Sequence, residues 1–503
     1  MAKCQAIGPT QAEVSLQANE RRVGELLDDR WLVLTGGELT PALSGRTFDV
    51  LNPYSEEIVA RVPDGGVADA ARAVAAAHVA APAWAALPAT SRAERVRALA
   101  DAIEQRGHDL ALLDAVDSGA PITVMATDVR IGVDSLRYFA GLALESKGDT
   151  TPASRNLHFT EYQPFGVVAR IIPFNHPVMF ATSKIAAPLV AGNAVVLKPA
   201  EATPLSALLL AKICAEHLPP GVVNIVTGDG PALPDALVRH PEVRRIAFTG
   251  SETTGRAIQR AAAEVAVKTV SLELGGKNAL LAFPDADPTG VAAGAIAGMN
   301  FTWAGQSCGS TSRLLVHESL HDAVVEELCR RLDALRFLPP LHPEASLGTI
   351  VNRRQYDRIL DRIATALDEG AQLACGGGRP PDATEGLFIA PTVLTGVQPD
   401  HAAATEEIFG PVLSVLTWRE ESEAIALANS VRYGLTGSVY TNDIRRAHRV
   451  ARALDTGYVW INGTAAHYLG VPYGGWKASG IGREESLEEL LSYSQLKSTT
   501  VVL

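Results

Sequence analysis

The chain is predicted to be an α/β protein built on a parallel, doubly wound sheet, and two observations carry that expectation. From Phe165 onward, strand-like runs alternate with helix-length segments. The runs are Phe165–Ile172, Asn193–Leu197, Val222–Val226, Arg245–Phe248 and Thr269–Leu274, with helices over Pro204–His217 and Thr253–Val265. Elements alternating at this spacing form parallel sheets that bind ligands at the strand C-terminal ends. Gly275-Gly276 then marks a junction, and Asn278–Phe283 opens a second α/β region that continues through Arg313–Val316 and Val412–Leu416. At 503 residues, 47% hydrophobic and 20% charged, the chain is long enough for two or three domains with large cores.

The elements before Phe165 read as scaffold. Residues 1–20 are polar and expected to fray at the start. Phe48 to Val62 alternates around Asn52-Pro53, as a β-hairpin does. Ser91-Arg92-Ala93-Glu94 has the pattern of a capping box, and Val96, Leu99, Ala100 and Ile103 then share one helical face. Two flanking segments, Arg155–Gln163 and Ser494–Leu503, read as edge strands that pair with another subunit.

Charge and cysteine usage narrow the partners. A formal net charge of −12 argues against nucleic acid and against an anionic membrane surface, and favours a small molecule. The five cysteines, Cys4, Cys214, Cys308, Cys329 and Cys375, are scattered and form no C-x-x-C pair. That usage fits a reduced, cytoplasmic protein without a disulfide framework or zinc cluster. Met1 to Asn19 has one Lys and no apolar core, unlike a signal peptide. The uncharged run Pro288–Ser312 includes Asn300 and Gln306, which disfavours a membrane span. The 12 His show no H-E-x-x-H pattern, so no metal is expected.

That uncharged run contains Trp303-Ala304-Gly305-Gln306-Ser307-Cys308-Gly309-Ser310. A cysteine among small residues on a tight turn is a candidate thiol nucleophile; the other reading is a buried structural cysteine. Glu273-Leu274-Gly275-Gly276-Lys277 places a carboxylate at a strand end, a candidate base if desolvated, or else a surface turn residue. Ile172-Pro173-Phe174-Asn175-His176-Pro177 holds an amide that serves either as an oxyanion donor or as a turn cap. Leu197-Lys198-Pro199-Ala200-Glu201 offers a donor and an acceptor to one ribose, or an ordinary ion pair. Phe248-Thr249-Gly250-Ser251 opens a helix whose N-terminus suits a pyrophosphate, with a plain helix cap on Ser251 as the alternative. Thiol, oxyanion donor, base and dinucleotide site together are the parts needed to oxidise an aldehyde.

With these motifs the sequence resembles the NAD(P)-dependent aldehyde dehydrogenase superfamily, from about Asp28 to the C-terminus. Glu406-Glu407-Ile408-Phe409-Gly410-Pro411 and Pro472-Tyr473-Gly474-Gly475-Trp476-Lys477-Ala478-Ser479-Gly480 complete the set in the family's order. The resemblance implies a Rossmann-like doubly wound cofactor domain (20–146 and 165–275) and an α/β catalytic domain (276–477). It also implies a small β bridging, oligomerising unit (147–164 and 478–503), hence a homodimer or homotetramer.

The resemblance also implies roles. Cys308 is the nucleophile, Asn175 with the Cys308 backbone N–H the oxyanion hole, and Glu273 the deacylating base. Lys184 and Glu484 match positions of a proton path. Lys198 and Glu201 hold the adenine ribose, Ser251 a phosphate and Glu407 the nicotinamide ribose, with Phe409 beside the nicotinamide. Ile171, Ile172, Pro173, Phe174, Gly230, Gly250, Thr254 and Leu274 complete the cofactor contacts. The Glu201 carboxylate accepts from a 2′-OH and repels a 2′-phosphate, so NAD is expected over NADP.

By register from the motifs, the substrate tunnel is lined by His176, Phe180, Ser183, Thr302, Trp303, Ser307, His467 and Tyr473. Small Ser183 and Thr302 beside flat Trp303 and Tyr473 suggest a wide pocket for a medium or large aldehyde, aromatic or terpenoid. A CoA-acylating dehydrogenase is the competing enzyme reading, and Glu273 speaks against it because CoA transfer needs no water-activating base. A catalytically silent scaffold on the same fold is the third reading, opposed by intact Cys308, Asn175 and Glu273.

Overall fold

The computed structural model describes residues 11–28 and 30–503. Residues 1–10 and Cys4, with the start of the stretch expected to fray, lie outside the described residues. From Gln11 the chain is helical, through Leu27. It buries Val23 and Leu26, and Arg22 forks onto Asp109 with two 2.8 Å bonds.

Two sheets organise the chain. The first has eight strands in the order Glu38–Thr40, Val33–Thr35, Val223–Ile225, Ala194–Lys198, Val167–Ile171, Val243–Thr249, Thr269–Glu273 and Gly480–Ile481. Its five middle strands are parallel, and antiparallel pieces close both edges. The chain starts this parallel set at Val167–Ile171, winds outward through two strands, then returns to place Val243–Thr249 on the opposite side. That reversal leaves a crevice between the C-terminal ends of Val167–Ile171 and Val243–Thr249, where Ile171 registers with Phe248. Alternate residues serve opposite faces: Val168 joins one core, while Val167, Ala169 and Ile171 join the other. Helices cover both faces, which is why these strands read as apolar runs.

The second sheet runs Gln372–Cys375, Thr392–Thr395, Val412–Trp418, Arg313–His317, Ala279–Ala282, Thr436–Tyr440 and Tyr458–Ile461. All but its first strand are parallel, and it too packs a core on each face. The linker between the sheets is Leu274 to Asn278, so the junction read at Gly275-Gly276 falls between them.

Two readings of local structure change. The helix expected to be capped by Ser91 begins at Ala89, with Pro88 as its N-cap and no capping box. Pro88, with φ −51°, starts the turn early and accepts from the Ser91 N–H, so Ser91 already lies inside the helix. The buried face is as expected, with Val96, Leu99, Ala100 and Ile103 all buried. The two edge segments pair with one another, Ser494–Val501 running antiparallel to Leu157–Pro164 over eight rungs. Gly480–Ile481, within the segment assigned to bridging, instead extends the first sheet beside Leu272 and Glu273.

Candidate active site

The linker between the sheets sets the site. Glu273 ends its strand with both carboxylate oxygens buried and without a hydrogen-bond partner. A Cβ at Gly275 would overlap the Glu407 carboxylate, whose Oε1 accepts from the Gly276 N–H at 2.9 Å. Asn278, three residues on, donates from Nδ2 to Cys308 O at 2.8 Å and to Ser310 O at 2.9 Å, pinning the cysteine turn. Gln306 anchors the same turn from the other side: Nε2 donates to Thr349 O at 3.1 Å and Oε1 accepts from the Val351 N–H at 3.1 Å. Gly305, at φ 68°, lies where any Cβ would strike the Gly410 carbonyl. Cys308 is therefore half-buried on a rigid turn, neither an exposed thiol nor a core cysteine.

Cys308 and Glu273 line one cavity of about 560 Å3. His176, Phe180, Ser183, Trp303, Ser307, His467 and Tyr473 also line it, as do Lys184 and Glu484. Thr302, expected in the wall, does not line it; it sits in the 3-10 turn Phe301–Trp303 and its carbonyl accepts from Gly348 N–H. In that turn Trp303 takes the cavity side. Asn175 is buried one residue before His176, between the strand end at Ile171 and the helix that starts at Pro177.

Electrostatics follow from burial. Burial, with the neighbouring Glu484 charge, holds the Glu273 carboxyl well above the usual carboxylate range, against the pull of Lys184 and Arg170. Burial and the carboxylates of Glu407, Glu273 and Glu484 push the Cys308 thiol up to about 12. The thiol thus needs a proton acceptor before it can attack. Burial likewise lifts Glu407 to about 7, although the Gly276 N–H opposes the rise.

Several residues of the site carried no sequence signal. Asp128, from the helix Ile122–Gly141, accepts from His176 Nδ1 at 2.8 Å. Asp114 and Asp117, one helical step apart on Gly107–Ser118, accept from the Val178 and Leu205 N–H groups. They accept first-turn backbone N–H groups, otherwise without partners, in the helices that begin at Pro177 and Leu205. Arg170, also unsignalled, joins the expected pair Lys184 and Glu484: it reaches Glu484 at 2.6 Å and Lys184 does so at 2.5 Å. Ile131, Met179, Tyr468 and Leu469 complete the apolar wall of the cavity.

Two of the segments expected to hold a dinucleotide leave the strands that flank the crevice of the first sheet. Ile171, Ile172, Pro173 and Phe174 lead out of one central strand, and Gly250, Ser251 and Thr254 out of its neighbour. Ser251 caps the helix Glu252–Val265, accepting from Thr254 N–H at 3.2 Å, so the cap is real and the helix N-terminus faces that crevice. Lys198 is buried while its partner Glu201, 3.4 Å away, keeps 48% of its side chain exposed. The Lys198–Glu201 pair is thus not simply a solvent-exposed bridge. Burial alone would raise Glu201, but Lys198 holds its carboxyl below the usual range, leaving an acceptor beside a buried donor. Phe174 and Phe409 meet edge to face at 5.8 Å. Gly230, at φ 96°, has open space around it, and Leu274 donates its N–H to Ser479 O. A donor–acceptor pair for a diol and an anion-ready helix end fit a dinucleotide.

Residues 40–499 match the family model described as "Aldehyde dehydrogenase family". The chain is 43% identical over 477 residues to the aldehyde dehydrogenase tropH of Talaromyces stipitatus, covering 92% of each. It resembles the NAD+ complex of an aldehyde dehydrogenase from Bacillus cereus with a TM-score of 0.93 at 38% identity, covering 95% of this chain and 98% of that one. An indole-3-acetaldehyde dehydrogenase of P. syringae, in complex with NAD+ and IAA, gives a TM-score of 0.93 at 35% identity, with 96% and 99% covered. The α/β, doubly wound architecture expected from the sequence is the fold of these structures. No helix among the described residues is long and apolar enough to cross a membrane.

Proposed function

This chain belongs to the aldehyde dehydrogenase family and is an NAD-dependent oxidoreductase, and from that premise we propose that it oxidises a medium or large aldehyde, aromatic or terpenoid, to the free carboxylic acid. The observation that carries the reading is the single cavity holding Cys308 and Glu273 behind the rings of His176, Phe180, Trp303 and Tyr473. A relative named for indole-3-acetaldehyde supports an aromatic substrate.

Cys308 gives up its proton and attacks the aldehyde carbon, with Glu273 as the unpartnered acceptor in the same cavity. Asn175 and the Cys308 N–H hold the resulting oxyanion; one such donor contributes roughly 3–4 kcal/mol. Lys198 and Glu201 bind the adenine ribose, Ser251 a phosphate and Glu407 the nicotinamide ribose, while Phe409 packs beside the nicotinamide. Ile171, Ile172, Pro173, Phe174, Gly230, Gly250, Thr254 and Leu274 shape the rest of that cradle. When bound, NAD supplies the hydride acceptor. Glu273 then draws a proton from the water that cleaves the Cys308 thioester, and Lys184 with Glu484 frames the way out for that proton. The ribbon of Ser494–Val501 and Leu157–Pro164 is the surface through which subunits join as a homodimer or homotetramer.

The test is NADH production across a panel of aldehydes graded in size, with Cys308→Ala as the blank. Bulky aromatic aldehydes should give the highest kcat/KM. Acetaldehyde as the best substrate would overturn the assignment.

A further inference from the structure

Beyond Glu273, three buried carboxyl groups lie on the wall of the catalytic cavity; Asp128 is bonded to His176, and the surroundings of Glu484 and Glu489 give those two opposite properties. Glu484 is fully committed, Oε1 accepting from Arg170 and Oε2 from Lys184. Burial alone would raise it, but these cations bring it down to about 2. A carboxylate held this way takes up no proton near neutral pH. Glu489 is 2% exposed; its Oε2 accepts from the Glu485 N–H at 2.7 Å, while its Oε1 has no hydrogen-bond partner.

Resting on the reading above, we propose that Glu489 is the positioning residue through which Glu273 sheds its proton to solvent, with Arg170, Lys184 and Glu484 as a fixed frame. Each turnover loads Glu273 twice, first from the Cys308 thiol and then from the attacking water. The first proton has to leave before the second can be taken. It passes from the Glu273 carboxyl, through water in the cavity, to ionised Glu489; Glu273 regains its negative charge, and neutral Glu489 then releases the proton to bulk solvent. The step is a proton transfer, with nothing oxidised or reduced.

The groups facing Glu489 suit that task. Lys184, on the helix Pro177–Val190, and Arg170, on the strand Val167–Ile171, favour its ionised form, and Glu484 disfavours it. Tyr138, Arg245 and Tyr493 complete the charged and titratable surroundings. Burial is the largest influence and lifts the carboxyl to about 7, so it gains and loses protons near neutrality.

An acyl adduct formed from a p-nitrophenyl ester, with no cofactor added, isolates the step. After the ester acylates Cys308, decay of the adduct is followed by mass spectrometry from about pH 6 to about pH 9. Glu489→Gln keeps an oxygen for the Glu485 N–H but cannot take up a proton. Its adduct is expected to decay at least about tenfold more slowly near neutral pH, without the inflection there, and to be rescued by added imidazole. Glu489→Asp should restore the inflection. Decay of Glu489→Gln at the wild-type rate overturns the proposal, and so does slower decay with the inflection intact, which marks a structural role. An ester that never acylates wild-type Cys308 overturns the underlying reading instead. Should neither variant fold, a wild-type decay rate that is flat across neutral pH overturns the proposal.

Discussion

His176 Nδ1 donates to Asp128 Oδ2 across 2.8 Å, and that bond holds the imidazole between Trp303, at 5.2 Å, and Phe180, at 5.7 Å. Asp128 is buried, and its other oxygen has no partner. His176→Ala removes a wall of the cavity and leaves that carboxylate unpaired. Expected losses are about 1–3 kcal/mol of stability and a steeper fall in kcat/KM for bulky aromatic aldehydes than for small ones. Denaturant unfolding and the substrate panel measure both, and an unchanged ratio between large and small substrates would count against a wall role.

Glu273→Gln should separate the two halves of the reaction. Turnover is expected to fall by roughly 10²–10⁴-fold, while an acyl adduct accumulates on Cys308 and is detected by mass spectrometry. Cys308→Ala should give neither turnover nor adduct. Full turnover in Glu273→Gln would mean that water is activated elsewhere.

The Lys184–Glu484 pair predicts the acid response. Glu484, ordinarily near 4.5, sits at about 2 in the folded protein. A depressed carboxyl adds stability above its unfolded value and loses it as pH falls through the folded one. The wild type should therefore lose stability between about pH 4.5 and about pH 2. Lys184→Met leaves Glu484 with Arg170 alone and its Oε2 unpaired, which should cost about 1–3 kcal/mol at neutral pH and move that loss to higher pH. Unfolding midpoints measured across pH check both, and a variant whose acid limb coincides with the wild type would refute the assignment.

Cofactor choice rests on Glu201. Its carboxylate, held below the usual range beside Lys198, is ionised at neutral pH and would repel a 2′-phosphate. The kcat/KM for NADP should be lower than for NAD, and Glu201→Gln should narrow the gap by raising the NADP value. A wild type that uses NADP as well as NAD contradicts this.

Subunit assembly is tested at the C-terminus. The strand Ser494–Val501 pairs within its own chain along one edge and keeps Leu496 and Val501 exposed. Truncation after Tyr493 should leave monomers by light scattering, and an unchanged assembly would place the interface elsewhere.

The parallel strands were legible because strands buried on both faces are continuous apolar runs, as in Val167–Ile171 and Ala194–Lys198. Cys308 and Glu273 stood out because glycines flank both turns. Asp114, Asp117 and Asp128 did not, since acidic residues on a helix look like a solvated face until the helices of Pro177 and Leu205 are seen to begin on two of them. Asn278 gave no sign of gripping the Cys308 turn, because that contact spans thirty residues of chain. Ser91 misled because Pro88 had already begun its helix.

The short strand Gly480–Ile481, which closes the first sheet beside Glu273, leads directly to Glu484 and Glu489. The cavity is therefore complete only when Glu484 and Glu489 have docked against the helix that carries Lys184, 300 residues earlier in the chain.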